Sequence, residues 1–432
     1  MDIFNKPDPT APEPEVEQRM TDCSAYVAAG DEIIDRREDK SIFASTAVAG
    51  SSAIYAKDGG TLYLENPEIH GYSALTDEDL RNELASKYGF AAAVLANCKT
   101  SHVTLINPKI VCHEGSNANG AYAIFHGAVI IKGGSIDTNC RLGHGVDCSY
   151  GGHIYCDGTV IHTAGGNSGA LATDFQGGYI TVRNIEATTE FRGSPGIYTA
   201  GKSIISAYDS KFVSKGCEAV MIAHTLGHTY LYNCEVTGTV GLNSHNGMGD
   251  GYSYLHMYGG KLTSTDGALL MSEEGRAIMD LDGVEIGGIG GKVMDCTWGG
   301  KLIANIKNMA LVGVVDRQDK SYTELNLQAA SLEGPANATV ISVDAASSWK
   351  IGGDSKAAVL SIAEGAKLSA DAPVVVTYGK LAEGCVLPEV ANVTFVLDES
   401  VCDDFEVKPM GPPPGMPMPE GGAPGGMPPM PM

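Results

Sequence analysis

The chain has few tryptophans, no CxxC pair and no long apolar segment. Only 2 tryptophans occur among its 432 residues, and no stretch reaches the roughly 20 apolar residues of a membrane-spanning helix. The N-terminal stretch MDIFNKPDPTAPEPEVEQ has no basic segment followed by an apolar core, which is the pattern of a signal peptide. We therefore expect no membrane span and a cytoplasmic location, with export of a form whose leader is missing as the alternative.

The cysteine spacing indicates the redox state of the thiols, and the net charge limits the binding partners that the protein can have. The 11 cysteines are an odd number without a paired spacing, so we interpret them mostly as reduced, buried side chains. A net charge of −23 repels nucleic acid and anionic membranes. Neither is expected as a partner, which leaves a small-molecule or oligosaccharide substrate. A homo-oligomer is left open.

A repeat of about 24 to 26 residues runs through most of the chain. Units such as GGHIYCDGTVIHTAGG, GHTYLYNCEVTGTVG and RAIMDLDGVEIGGIGG each contain a short strand, a polar or glycine turn and a second short strand. A third short apolar piece, such as HGVDCSY or EAVMIAH, precedes most of them. Three short strands per unit predict an all-β fold, a single-stranded right-handed parallel β-helix solenoid of roughly a dozen coils.

Two segments depart from the repeat, and they suggest three regions. We expect an N-terminal cap at residues 1–47, the right-handed parallel β-helix at residues 48–400 and a Pro/Gly/Met-rich tail at residues 401–432. The tail cannot form a core and is expected to be disordered or polyproline-like. LTDEDLRNELASKYG predicts one inserted helix from Thr76 to Lys87, because Thr76 and Asp79 form a capping box and Gly89 follows.

Five motifs carry a resemblance to a known family. YGFAAAVL, GHGVDCSYGG, NSGALATDFQGG, GSPGIYTAG and CEAVMIAH occur in this order, and they resemble an uncharacterised family of microbial right-handed parallel β-helix (pectin-lyase-like) repeat proteins. The resemblance covers roughly Tyr88 to Val315 and implies the fold but no established reaction. Relatives are commonly exported, with an arginine after the aspartate of ATD and a glutamate in the stretch matching MIAH. This chain has Phe175 and Ile222-Ala223-His224 there, which we interpret as specialisation.

Strand alternation assigns side chains to the core or to the surface. It directs Ala207, Leu231, Leu255, Met257 and Leu281 inward. Because adjacent coils lie about 4.8 Å apart, the outward tyrosines 208, 232 and 258 should form a vertical ladder. Such a ladder either stabilises the exposed sheet through cross-strand contacts or offers a platform for sugar rings or aromatic ligands.

The stretch GHGVDCSYGGHIYCDG concentrates reactive side chains among glycines. Val146 should point inward and Asp147 outward, with His144 in the preceding turn and Tyr198 in the equivalent outward place two coils later. An imidazole, a carboxylate and a phenol close together can transfer protons. The candidate catalytic residues are His144, Asp147, Tyr198, His224, Tyr230 and His256, and the candidate substrate-binding residues are His153, Tyr155, Asp157, Arg183, Tyr208, Tyr232 and Tyr258.

No cofactor and no metal are expected, with one site kept open. Asp280 and Asp282 share a face and could help to bind Ca²⁺. The spacing of the cysteines and histidines between residues 140 and 156 matches no zinc module.

Two functions are consistent with these features. The first is a cofactor-independent lyase, isomerase or epimerase that uses acid–base chemistry in a lateral groove on a polyhydroxylated substrate, either a sugar or a phenolic compound. The second is a non-catalytic glycan-binding or surface scaffold. The clustering of histidine and tyrosine in the middle coils favours the enzyme.

The composition of the tail generates a first prediction. Deleting the residues after Pro409 should leave the melting temperature nearly unchanged, because this segment has no apolar periodicity with which to pack. Thermal unfolding of the full-length and shortened chains, followed by circular dichroism, measures this. A fall of many degrees would mean that the tail packs against the body.

Overall fold

The chain folds as a parallel β-solenoid. A computed structural model describes residues 14–24, 26–36, 42–44, 52–72, 87–89, 91–224, 226–245 and 251–405. It is all-β and contains about 13 turns, which confirms the predicted solenoid of roughly a dozen coils. The right-handed sense stays a prediction. No helix among the described residues is long and apolar enough to cross a membrane.

Except in the last coils, each coil contributes one strand to each of three sides of the solenoid, and strands of the same sheet pair in parallel from one coil to the next. The strands are numbered in chain order. The 12 described strands of sheet A are β1 Val27–Ala29, β4 Ile54–Lys57, β7 Val94–Asn97, β10 Ala121–Ile124, β13 Val146–Ser149, β16 Leu171–Thr173, β19 Ile197–Ala200, β22 Val220–Ala223, β25 Leu242–His245, β28 Leu270–Glu273, β31 Met294–Thr297 and β34 Val315–Arg317.

Sheet B is the longest sheet and continues to the last coil. Its 16 described strands are β2 Ile33–Arg36, β5 Thr61–Glu65, β8 His102–Ile106, β11 Ala128–Lys132, β14 His153–Asp157, β17 Tyr179–Arg183, β20 Ile204–Tyr208, β23 His228–Tyr232, β26 Ser253–Tyr258, β29 Arg276–Asp282, β32 Lys301–Lys307, β35 Tyr322–Gln328, β37 Asn337–Val343, β39 Ser355–Ile362, β41 Val374–Leu381 and β42 Val393–Leu397.

The third side of the solenoid consists of two successive sheets. The 10 described strands of sheet C are β3 Ile42–Ala44, β6 Glu68–Gly71, β9 Lys109–Ser116, β12 Ser135–Arg141, β15 Val160–Thr163, β18 Glu186–Thr189, β21 Lys211–Ser214, β24 Glu235–Gly238, β27 Lys261–Ser264 and β30 Glu285–Gly288. The 4 described strands of sheet D are β33 Ala310–Val312, β36 Ser331–Glu333, β38 Ser348–Lys350 and β40 Lys367–Ser369. Beyond β34 the described strands belong to sheets B and D alone.

The ends of the solenoid differ from the predicted boundaries. Helix α1, Pro14–Cys23, precedes the first coil, but β1, β2 and β3 already pair in parallel with β4, β5 and β6. The first coil therefore begins at Val27, inside the predicted cap, because strands of three or four residues give too little alternation to read. At the other end, Asp404 pairs with the largely buried Arg317. The rest of the tail, and the helix predicted from Thr76 apart from Lys87, lie outside the described residues.

The turn from sheet B to sheet C repeats one backbone conformation. Asn107, Asn184, Asn233 and Asn308 have φ values of 48°, 52°, 53° and 51°, and Gly158 has 65°. Asparagine and glycine enter this left-handed region at the lowest cost. The polar or glycine turn of the sequence repeat is therefore the corner at which each coil changes sheet.

The core fills the space between the sheets, and the predicted alternation is the one observed. The five side chains expected to point inward, Ala207, Leu231, Leu255, Met257 and Leu281, are all fully buried. Seven cysteines between Cys98 and Cys402 are buried as well, and the ten cysteines of that part of the chain are free thiols. This agrees with their interpretation as reduced packing residues.

A second apolar cluster lies on the outer face of sheet A, opposite the core. Tyr55, Leu95 and Tyr122 occupy one outward column in successive coils, yet none of them is exposed. Tyr88 lies with its ring centroid 6.1 Å from that of Phe125. The complete cluster contains Tyr55, Tyr88, Ala92, Leu95, Tyr122, Ile124, Phe125 and Tyr150. The outer face of sheet A is therefore an apolar environment next to the coil that carries Asp147.

Candidate functional site

The predicted site residues lie on two different sides of the solenoid. Asp147 and Tyr198 lie on sheet A, with His144 in the turn before β13, whereas Tyr230 and His256 lie on sheet B. His224 lies between β22 and β23, at the corner between the two sheets. All seven candidate binding residues, His153, Tyr155, Asp157, Arg183, Tyr208, Tyr232 and Tyr258, lie on sheet B. A single groove lined by the six candidate catalytic residues is therefore not formed.

The tyrosine ladder on sheet B has the predicted register. The ring centroids of Tyr208 and Tyr232 are 4.8 Å apart, and those of Tyr232 and Tyr258 are 5.2 Å apart, with nearly parallel planes. The guanidinium of Arg183 lies 4.1 Å from the centroid of Tyr208, over its ring. The ring faces that a sugar would need for stacking are therefore largely occupied within the ladder, and the solvent meets ring edges and hydroxyls.

A second aromatic column runs beside this ladder. The rings of Tyr230 and His256 stack at 4.9 Å, and Nδ1 of His256 lies 2.9 Å from Oδ2 of Asp280. The His256 imidazole and the Asn305 amide hold the pKa of Asp280 below its usual value against the effect of burial. Asp280 Oδ1 accepts a hydrogen bond from Asn305 at 2.6 Å.

The carboxylates proposed for calcium both have protein partners. Besides the contacts of Asp280, Oδ1 of Asp282 accepts a hydrogen bond of 2.7 Å from Nδ2 of Asn308. These bonds leave fewer free oxygens than Ca²⁺, with its six to eight ligands, requires. Their role as calcium ligands stays a prediction.

The stacked ladder generates a stability prediction. Replacing Tyr232 by alanine removes two ring contacts, each worth up to about 1 kcal/mol, so the free energy of unfolding should fall by about 1–2 kcal/mol. Tyr63→Ala is the control, because Tyr63 lies half-exposed on β5 of the same sheet. Urea denaturation of both variants measures the difference. Equal losses would contradict a stabilising role for the stacking.

Asp147 faces outward from sheet A as predicted, but it is not exposed. The register aligns Tyr122, Asp147, Ala172 and Tyr198 in one column over four coils. Asp147 is 1% exposed, and its Oδ1 has no hydrogen-bond partner. Its burial follows from its place beside Tyr122 and the outer apolar cluster. A buried carboxyl oxygen without a partner is costly, so Asp147 stays a candidate site residue.

Asp174 is a site residue that the sequence analysis did not select. It directly follows β16, and its carboxylate, that of Asp147 and a ring nitrogen of His144 all lie within 4.8 Å of one another. The signal was present in the ATD motif. Ala172 is equivalent to the outward Asp147, so alternation also directs the side chain two residues later outward.

His144 is fixed in one tautomer by backbone contacts. The backbone N–H of His144 donates to Oδ1 of Asn119 at 2.7 Å. The ring nitrogen Nδ1 of His144 accepts a hydrogen bond of 2.9 Å from the backbone N–H of Gly169. A neutral imidazole that accepts at Nδ1 carries its hydrogen on Nε2. Burial lowers the pKa of His144 to about 4. At neutral pH the ring is therefore an uncharged hydrogen-bond donor.

The two carboxyl groups differ in protonation. Burial raises the pKa of Asp174 to about 6. The pKa of Asp147 is raised well above its usual value, first by burial and then by the charge of Asp174. At neutral pH Asp174 is therefore mostly ionised while Asp147 keeps its proton, since two adjacent carboxylates do not readily ionise together.

Tyr198 completes the cluster as a protonated phenol. Burial, followed by the charges of Asp174 and Asp147, raises its pKa. Tyr198, Asp174 and His144 are half-buried, whereas Asp147 lies almost wholly inside. A ligand on this face would meet the first three, with Asp147 behind them. We call His144, Asp147, Asp174 and Tyr198 the sheet A cluster.

His144, Asp147 and Asp174 could also be considered as metal ligands. A metal ion needs a lone pair on a histidine nitrogen, but Nδ1 of His144 already accepts the Gly169 N–H, and Nε2 then carries hydrogen. Only the two carboxylates remain as donors. The hydrogen bonding of this cluster therefore favours holding a proton over holding a metal.

Two open depressions lie elsewhere on the surface. One, of about 660 Å³, lies where sheet C gives way to sheet D and is lined mainly by apolar side chains, among them Ile286 and Met309. The other, of about 680 Å³, contains His113, Asp137 and His162 on the sheet C side. His162 already contacts Asp137 at 3.1 Å and Glu190 at 3.3 Å. Among the described residues of either lining, none is a buried ionisable group without a partner, so chemistry favours the sheet A cluster.

Comparison with known proteins adds no family. No protein-family model matches the chain, and no curated protein is significantly similar to it.

The raised pKa of Asp147 generates a prediction about stability and pH. A carboxyl whose pKa is raised on folding contributes its stability fully below the unfolded pKa of about 3.9 and loses it as the pH rises. Asp147→Asn should therefore gain melting temperature relative to the wild type as the pH rises over a range from about pH 4 to neutral pH. Differential scanning calorimetry across this range measures the gain.

Asp280→Asn is the matched control with the opposite sign. The pKa of Asp280 is held low, so its contribution is present at neutral pH and disappears as the pH falls. This variant should be less stable than the wild type at pH 8 and approach it at low pH. The same trend in both variants would contradict the assigned protonation states.

Proposed function

We propose that the protein is a cofactor-independent enzyme of the lyase, isomerase or epimerase type, acting on a polyhydroxylated substrate at the sheet A cluster. The observation that carries this proposal is the pair formed by Asp147 and Asp174. The two carboxyl groups lie within 4.8 Å of each other, and burial raises the pKa of both, with the charge of Asp174 raising that of Asp147 further. Groups whose environments separate their pKa values are typical of acid–base sites.

Each member of the cluster has one role in the proposed reaction. Asp174, ionised and half-buried, removes a proton from a carbon next to a carbonyl group of the substrate. The Nε2–H of His144 donates a hydrogen bond to the oxygen on which negative charge develops. A neutral imidazole can stabilise an enolate in this way without giving up its proton.

The proton balance then decides the reaction type. The electron pair of the broken C–H bond forms the enolate, and Asp174 holds the proton. In an isomerase or epimerase, Tyr198 or Asp174 returns a proton to carbon; in a lyase, a group on the neighbouring carbon leaves with the electron pair. Asp147 is a positioning residue here, because its buried, protonated carboxyl keeps a second negative charge away from Asp174.

The alternative function is a non-catalytic glycan-binding or surface scaffold. The stacked rings of sheet B support a stabilising role for that face. They do not account for an unpartnered, buried aspartic acid on sheet A. The enzyme is therefore the function that the geometry favours.

Deuterium incorporation tests the proposal without knowledge of the substrate. The protein is incubated in D₂O with a metabolite extract, and mass spectrometry detects compounds that gain deuterium at carbon. The wild type should label at least one hydroxyl-rich compound. Asp174→Asn should reduce that labelling by about 10² to 10⁴, while Asp282→Asn, on the opposite side of the solenoid, should not. Labelling that survives in Asp174→Asn, or no labelling with the wild type, would contradict the proposal.

The pKa of Asp174 predicts the pH dependence of turnover. The base must be ionised, so kcat/KM for the labelled compound should rise as the pH increases through about 6. Dialysis against EDTA should leave the rate unchanged. A flat profile between pH 5 and 7 would show that another group removes the proton.

A further inference from the structure

The sheet A cluster continues along the same face into a second polar group. The outward column that contains Asp147 passes through Ala172, Tyr198 and Met221 to Asn243. Four coil spacings of about 4.8 Å place Asn243 roughly 19 Å from Asp147 along the solenoid axis. The part of this column from Asp147 to Asn243 therefore has a polar side chain at each end, and the column continues through Met271 to Asp295 and Asp316.

Asn243 has the same unusual property as Asp147. It is 1% exposed. Its Nδ2 donates to Oε1 of Glu218 at 3.0 Å, but its Oδ1 has no hydrogen-bond partner. A buried amide oxygen in that state has lost its hydration without a replacement hydrogen bond, which is a cost to folding. A ligand that brings a hydrogen-bond donor would remove this cost.

The surface between the two polar ends is largely apolar. Ala200 and Ala223 are paired neighbours in the adjacent outward column, and each is 4% exposed. Tyr198 and Met221 stand beside them, half-buried. Aromatic and thioether side chains pack well against the apolar faces of sugar rings.

The ionisable side chains on this face are mostly carboxylates, together with His245, whose pKa is raised by its hydrogen bond with Glu273. Carboxylates stand at both ends, Asp174 at one and Glu218 and Glu273 at the other. The outward positions of the described strands β13, β16, β19, β22 and β25 contain no lysine or arginine. His245 lies 3.3 Å from Glu273 and is already paired with it. An anionic ligand would be repelled here, and the net charge of −23 adds to that repulsion.

From this arrangement we infer that the substrate is an elongated, uncharged oligosaccharide that spans the sheet A face from Asp174 to Asn243. The inference rests on the proposed function for the reacting end and adds the class of the substrate. Its hydroxyls donate to the Asn243 oxygen, its rings lie over Ala200 and Ala223, and its reducing-end sugar, whose open-chain form supplies the carbonyl group, reaches the sheet A cluster. Uronic-acid polymers are excluded by charge.

Calorimetric titration with defined oligosaccharides tests the inference. The probes are neutral cello-, xylo- and malto-oligosaccharides of two to six units, with oligogalacturonates and chitosan oligomers of the same lengths as charged controls. One neutral series should bind, and its affinity should increase with length. Preferential binding of a charged series, no binding of any neutral series, or an affinity independent of length would overturn the inference.

Variants then locate the far end of the ligand. Asn243→Ala should weaken binding of the longest oligomer about tenfold, as expected for one buried hydrogen bond, and leave the shortest unchanged. Asn305→Ala is the matched control, because Asn305 makes the same kind of amide–carboxylate bond on sheet B. Equal effects of the two variants would refute the assigned end.

Binding and deuterium labelling separate this inference from the proposed function. Length-dependent binding of a neutral series without labelling would support the ligand class and refute the enzyme. Labelling of a short or anionic compound would support the enzyme and refute the ligand class.

Discussion

The parallel register between successive coils is the constraint on which the rest of the structure depends. Each strand pairs with its counterpart in the next coil, so equivalent side chains repeat about every 4.8 Å in straight columns. The columns explain the tyrosine ladder on sheet B and the line from Asp147 to Asn243 on sheet A. They also mean that residues distant in sequence, such as Tyr122 and Asp147, become neighbours without any long loop.

The second determinant of the site is the burial of side chains on the outer face of a sheet, because it decides the pKa of an outward aspartate. Outward positions of a solenoid are ordinarily wet, and a carboxylate there would titrate near its usual value. On sheet A the apolar cluster beside Tyr122 removes water from the coil that carries Asp147. Asp280 on sheet B has the same backbone setting, but imidazole and amide partners stabilise its charge. Two faces of one scaffold thus give the same residue type opposite protonation behaviour.

Much of the fold was predictable because it repeats. The repeat period predicted the solenoid. The inward and outward faces were predicted from the alternation of Leu231, Leu255 and Met257 with their tyrosine and histidine neighbours. The stacking of Tyr208 on Tyr232 followed from the same alignment. The first coil was missed since Val27–Ala29 and Ile33–Arg36 are too short to show a period.

The chemistry of the site was less predictable, because it depends on contacts between coils. Alternation directed Asp147 outward but could not reveal that its carboxyl is buried. It also could not show that Nδ1 of His144 accepts a backbone N–H. Asp174 could have been found from its place after Ala172, had the register between β13 and β16 been extended by one residue. The separation of Tyr230 and His256 from His144 required the assignment of each strand to a sheet.

The cluster draws its members from successive coils, and this has an evolutionary consequence. Asp147, Asp174 and Tyr198 come from three consecutive repeats, while Asn243 lies in a later one. Duplication or loss of one repeat between Tyr198 and Asn243 would change the distance between the two polar ends by one coil spacing and leave the reacting groups intact. The number of repeats would then set the length of the ligand that fits. Related proteins could acquire new preferences for ligand length through insertion of whole repeats rather than through point mutation.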